Sequence, residues 1–263
     1  MRRLLSGLAA AVLAIVAIVG SSQAAQASWQ PKTPDDMNEF IRLTDAFLQL
    51  TEAFAGGGGG GGPELDEAIR QIKETVEQAK DQIIQHIDEI TSAEVQACVR
   101  THTIEFADIA NMSRTILQLW AQDATLCASQ ATEYFSAVST LRAADNIGFL
   151  AGEIYAIATA ARAKAGFSIV ALLENHIRTD EAIITRLTPT DCGIKRAPPE
   201  PKATPERWWE CTAYNGDVGE SAACFGFQCQ PDRAAAEDNA TRRTSRAVAK
   251  DALPKLREAL AGT

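Results

Sequence analysis

The chain has 263 residues, of which 46% are hydrophobic and 22% charged, with six cysteines and a formal net charge of −9. That length can bury a sizeable core, and the acidic balance excludes DNA, RNA and anionic lipid as electrostatic partners.

The first element is a targeting segment. Arg2 and Arg3 precede an apolar run from Leu4 to Val19, and the small residues Ala25, Gln26 and Ala27 follow. This is the pattern of a secretory signal peptide cleaved after Ala27. The run is shorter than the roughly 20 residues that span a bilayer, which argues against a membrane anchor. Loss of Arg2 and Arg3 takes the net charge from −9 to −11. In a secreted, extracellular chain the six cysteines are expected as disulfides. The heavy use of Ala and Arg suggests a bacterial source.

Residues 28–55 form an N-terminal helix opened by Thr33-Pro34-Asp35-Asp36, with a hydroxyl cap, a proline at the first position and acids at the positive end of the dipole. Met37, Phe40, Ile41, Phe47, Leu48 and Phe54 give it one apolar face. Seven consecutive glycines, Gly56 to Gly62, follow within a linker over 56–63. A phosphate loop would need Gly-Lys-Ser/Thr after them, whereas Pro63-Glu64-Leu65-Asp66 puts carboxylates where phosphate would sit. A flexible tether is the expectation.

Residues 64–188 are expected to be an antiparallel helical bundle. Leu65, Ile69, Ile72, Val76, Ala79, Ile83 and Ile90 alternate at steps of four and three, a heptad seam with His86 at one position, in a helix about 40 Å long. Thr91-Ser92-Ala93-Glu94 is a capping box that starts a second helix, with Val95, Val99, Phe106 and Ile109 on one face. A turn at Asn111-Met112-Ser113 precedes a third helix carrying Ile116, Leu117, Trp120, Leu126, Tyr134, Phe135, Val138 and Leu141. Asp145-Asn146-Ile147-Gly148 is expected to break it. Between Ile147 and Leu173 the only charges are Glu153, Arg162 and Lys164, and Gly166 divides this apolar stretch into two helices, the second ending near Leu187. No strand signal occurs up to this point.

Over 189–206 five prolines from Pro189 to Pro205 predict an extended linker. Residues 207–263 read as a small Cys-rich module: the segments RWWECTAYN and SAACFGFQC form a hairpin, and a helix starts after Gln230-Pro231-Asp232. Trp208, Trp209, Tyr214, Phe225 and Phe227 are dense for so short a module. They either fill its core, which is favoured, or form a binding face.

The cysteines are the sharpest chemical signal. Cys98 and Cys127 are equidistant from the turn at 111–113, so they lie level on neighbouring helices, as a disulfide requires. Cys98 and His102 have ligand spacing, but His86 and His176 are not placed to complete a metal site. No metal or cofactor is expected. Three cysteines, Cys98, Cys127 and Cys192, precede the proline cluster from Pro198 to Pro205 and three follow it, so full oxidation forces a bridge across it. A turn over 215–220 pairs Cys211 with Cys224 and leaves Cys229 for Cys192.

No G-x-S-x-G, H-E-x-x-H or Cys-x-x-Cys motif occurs, and His102 and His176 read as core or boundary histidines, so no catalytic residue is assigned. The expected function is a secreted, non-catalytic interaction or structural protein that binds an unidentified protein or cell-envelope component. The alternatives are a membrane-active, pore-forming-like protein using the apolar hairpin 147–187, and a secreted hydrolase. Asn111-Met112-Ser113 and Asn239-Ala240-Thr241 fit the glycosylation pattern, which a bacterial host would not use.

Overall fold

A computed structural model describes residues 66–67, 69–74, 76, 93–197, 206–226 and 228–262. The expected signal peptide, N-terminal helix, glycine tether and most of the heptad seam lie outside these residues, as does Phe227. Of the described residues, 66–67, 69–74 and 76 are helical. There follow α1 (Ala93–Glu105), a short 3-10 turn (Phe106–Asp108), α2 (Arg114–Ala137), α3 (Leu141–Ala165) and α4 (Val170–Arg186). Then come β1 (Asp191–Arg196), β2 (Glu206–Thr212), β3 (Val218–Glu220) and β4 (Cys224–Phe225), and finally α5 (Arg233–Thr241) and α6 (Ser245–Gly262). The protein is mainly helical with a small antiparallel sheet.

The turn between α1 and α2 lies where the cysteine spacing puts it. Ser113 caps α2 by accepting a hydrogen bond from the Ile116 amide, which satisfies one of the free donors at a helix start. The expected break at 145–148 is corrected: α2 ends at Ala137, Thr140 caps α3 through the Ala143 amide, and α3 runs straight through those residues. Asp145, Asn146 and Gly148 resemble a turn but serve packing. Asp145 accepts bonds from Tyr214 and Ser245. At Gly148 a Cβ would sit 2.3 Å from Ser245 Oγ, so only glycine admits α6 this close. Gly166 ends α3 in the left-handed conformation, φ 79°, which glycine adopts without strain.

Helix α3 is buried on nearly every side, so it reads as a core helix and not as an amphipathic one. It packs against α1, α2, α4 and α6. Ile69, Ile72 and Val76 join the same core, and so do Val248, Ala249, Ala252 and Leu256. The last helix, expected in the C-terminal module, is thus part of the main core. No helix among the described residues is long and apolar enough to cross a membrane.

The sheet has the order β1-β2-β3, with β4 pairing the start of β2. Residues 191–196, expected as linker, form edge strand β1, whose DCGIKR sequence carries no apolar alternation and is mostly exposed. The expected hairpin register is also corrected. Asn215 Oδ1 accepts from the Asp217 amide and Gly216 takes φ 86°, which closes the turn at Asp217. Cys211 therefore faces Gly219 on one side and Cys192 on the other, while Cys224 faces Arg207. Helix α5 covers the inner face, making a small second core of Cys211, Ala213, Ala236 and Ala240.

Candidate functional site

The opening between enzyme and scaffold turns on Cys98, His102 and Cys127. Cys98 on α1 and Cys127 on α2 are joined by a disulfide with their Cα atoms 5.9 Å apart. His102, one turn after Cys98, is buried beside it. Its Nδ1 lies 2.8 Å from the Cys98 carbonyl, so Nδ1 carries a hydrogen and donates it to that oxygen. The imidazole packs on Trp120 at 5.2 Å, and Trp120 Nε1 donates to Glu105.

The other two bridges differ from the expected pairing. Cys192 bonds Cys211 and Cys224 bonds Cys229. The register accounts for this, because adjacent strands put Cys192 directly opposite Cys211. One bridge still crosses the proline linker.

Three polar groups lie in the helical interior: His176, read from the sequence as a core or boundary residue, and two acids, Glu153 and Asp180, that were not assigned there. Glu153, fully buried on α3, is pushed up to about 8 by burial, against a partial opposing effect from its bond with Thr103. The Thr103 hydroxyl is 2.8 Å from both Val99 O and Glu153 Oε1. One hydrogen cannot serve both, so a protonated Glu153 donates to the hydroxyl while the hydroxyl donates to Val99. Further along, the Tyr155 and His176 rings stack at 4.6 Å, and His176 Nε2 is 3.7 Å from Asp180 Oδ1. Burial pushes His176 down to about 3 and Asp180 well above the usual carboxylate range. The pair is therefore neutral against neutral and not an ion pair. Thr132 bonds both Tyr155 and Thr179, closing the cluster.

Of the five aromatics expected to fill the module's core or to form a binding face, the four that are described do not share one surface. Trp209 lies on the inner face with Cys211, under the Arg233 guanidinium at 5.5 Å. Strand alternation puts Trp208 on the opposite face. Phe225, paired with Glu206 in register, shares that outer face and is exposed. Tyr214 leaves the sheet altogether and donates to Asp145 on α3 at 2.5 Å. Phe227 is outside the described residues. Burial pushes Asp145 up to about 6, with the Tyr214 and Ser245 bonds opposing it. This pair pins the sheet to the helical body.

A surface groove of about 480 Å³ lies between α2 and α4, lined by Phe135, Ser136, Glu181, Ala182, Thr185 and Arg186. Its charged groups are committed elsewhere. Arg186 caps α2 by donating to the Phe135 and Val138 carbonyls, and Glu181 pairs with Arg257. The sequence held a signal for Glu153, the only acid in its apolar stretch, and none for the burial of Asp180. No family model, curated protein or solved structure matches the chain.

Proposed function

We propose that the protein is an exported, non-catalytic interaction protein: an antiparallel helical bundle stapled by disulfides, released from its signal peptide after Ala27, that engages an amphipathic helix of a partner protein in the cell envelope or its surroundings. One observation carries the reading. The outward side of α2 presents Ile116, Leu119 and Leu126 at 56%, 63% and 55% exposure. They stand at steps of three and seven, the spacing at which a helix meets a second helix. Asp123 falls between them with its side chain 69% exposed, so the partner should bring a basic residue to that level. The enclosure of Glu153, His176 and Asp180 in the core supports a structural role over acid-base chemistry.

The test is crosslinking capture from culture envelope and supernatant, using the chain from Ser28 and a Leu119→Ser/Leu126→Ser variant. Both side chains are exposed, so the variant should keep the parent melting temperature while losing at least about tenfold in capture, since helix-in-groove binding concentrates in such anchors. Equal capture by both proteins removes α2 as the binding surface.

A further inference from the structure

Four residues with metal-ligand chemistry stand around the α1–α2 staple in a symmetric arrangement. Cys98 and His102 are four apart on α1, and Asp123 and Cys127 are four apart on α2. The helices run antiparallel, so Cys98 is level with Cys127 and His102 with Asp123. The two sulfurs and an imidazole nitrogen all lie within 4.8 Å of one another. His102 Nε2 is 3.5 Å from Asp123 Oδ2.

We propose that this staple is also a latent metal centre: once the Cys98–Cys127 bond is reduced, both thiolates and His102 Nε2 bind one zinc-class cation, with the Asp123 carboxylate as fourth ligand. Three observations support it. First, His102 Nε2 is buried and carries no hydrogen bond, an arrangement left unexplained by packing alone. Second, the bond from Nδ1 to the Cys98 carbonyl fixes the ring and its tautomer, which is how ligating histidines are held from behind. Third, the spacing fits. Around a tetrahedral zinc two thiolates stand about 3.8 Å apart, and a nitrogen and an oxygen about 3.4 Å. Helices whose Cα atoms are 5.9 Å apart at the cysteines reach the first with side-chain rotation, and Nε2 and Oδ2 already approximate the second.

The chemistry balances with a dithiol as reductant. Its two thiols deliver two electrons and two protons to the bridge, the Cys98–Cys127 bond breaks, and the reductant leaves as its own disulfide. Binding of the divalent cation then displaces two protons from the cysteine thiols. The same helix pair is thus clasped by a covalent bond under oxidising conditions and by an ion under reducing ones.

The experiment uses the full chain from Ser28, reduced by a phosphine that adds no competing thiolate and titrated anaerobically with Co²⁺ and Zn²⁺. One ion per chain, sulfur-to-cobalt charge-transfer absorption and release of two protons are expected from the reduced protein, and none from the oxidised one. Cys98→Ser/Cys127→Ser should abolish binding even though the other four thiols remain. His102→Gln should weaken it at least about tenfold and Asp123→Asn less. Should the histidine variant fail to fold, X-ray absorption on the zinc-loaded parent decides: two sulfurs with at least one imidazole support the centre. Absence of stoichiometric binding in the reduced parent, binding retained by the cysteine double variant, or a four-sulfur or sulfur-free shell overturns it.

Discussion

Glu153 shows how one side chain sets a pH dependence. Its folded value of about 8 stands above the ordinary 4.5, so the folded state holds a proton that the unfolded chain releases. Below about 4.5 both states are protonated and there is no penalty; between about 4.5 and 8 stability falls as pH rises; above 8 the loss is complete. Glu153→Gln keeps the shape and a donor for Thr103 and abolishes the charge. Chemical denaturation should find this variant equal to the parent at pH 4 and more stable at pH 8 by on the order of 4 kcal/mol. Equal stability at both pH values would show that Glu153 is not held protonated. Tyr214 has a different task. Tyr214→Phe strips Asp145 of a charge-assisted bond and should destabilise the protein by roughly 1.5 to 3 kcal/mol near neutral pH, read by the same method. A residue alone among apolar neighbours, such as Glu153, is conspicuous in sequence. The pairing of Tyr214 with Asp145 is not, because 69 residues separate them and no local pattern links them.

Among the elements, those whose boundaries rest on local chemistry are legible and those that rest on tertiary contact are not. Ser113 as a cap and Gly166 as a left-handed stop act within a turn of their own positions, and the sequence shows the boundaries they make as a turn at 111–113 and a division at Gly166. The false break at 145–148 arises because Asp, Asn and Gly signal a turn unless a neighbouring chain claims them, as α6 does here. Strand β1 is invisible for the converse reason: it exists through its pairing with β2, and its own residues have no pattern. Gly219 on β3 is the strictest contact of this kind, since a Cβ there would lie 2.0 Å from the Ala240 amide nitrogen. Backbone meets backbone at that point, so neither side can give by rotating a side chain. Gly219→Ala should lower stability by roughly 1 to 3 kcal/mol in thermal and denaturant melts, and a neutral result would mean that β3 and α5 are not packed as described.

For the molecule as a whole, the bridges divide the work between the two parts. The 29-residue separation of Cys98 and Cys127 should make their bond worth roughly 3 to 4 kcal/mol by the loop-entropy relation. The Cys98→Ser/Cys127→Ser variant should show that loss in an oxidised denaturant melt. The crossing bridge has a covalent signature. Cleavage between Arg196 and Arg207 should leave a single full-length species on a denaturing gel without reductant and two fragments with it, because Cys192 and Cys211 lie on opposite sides of the cut. Two fragments without reductant would rule that bond out.

That same bond also decides how the protein responds to force. When the two ends of the chain are pulled, tension arriving at Cys192 passes straight to Cys211 through sulfur, and the segment between them carries no load. The 19 residues it short-circuits correspond to about 65 Å of extended chain, a length the unravelled molecule can yield only after reduction. A single-molecule stretching trace should therefore lengthen by that step when reductant is added, on top of the steps from the other two bridges. Pulled this way, most of β1 and β2 is bypassed along with the residues that join them, so the bond shields that pair of strands from the load until it is reduced.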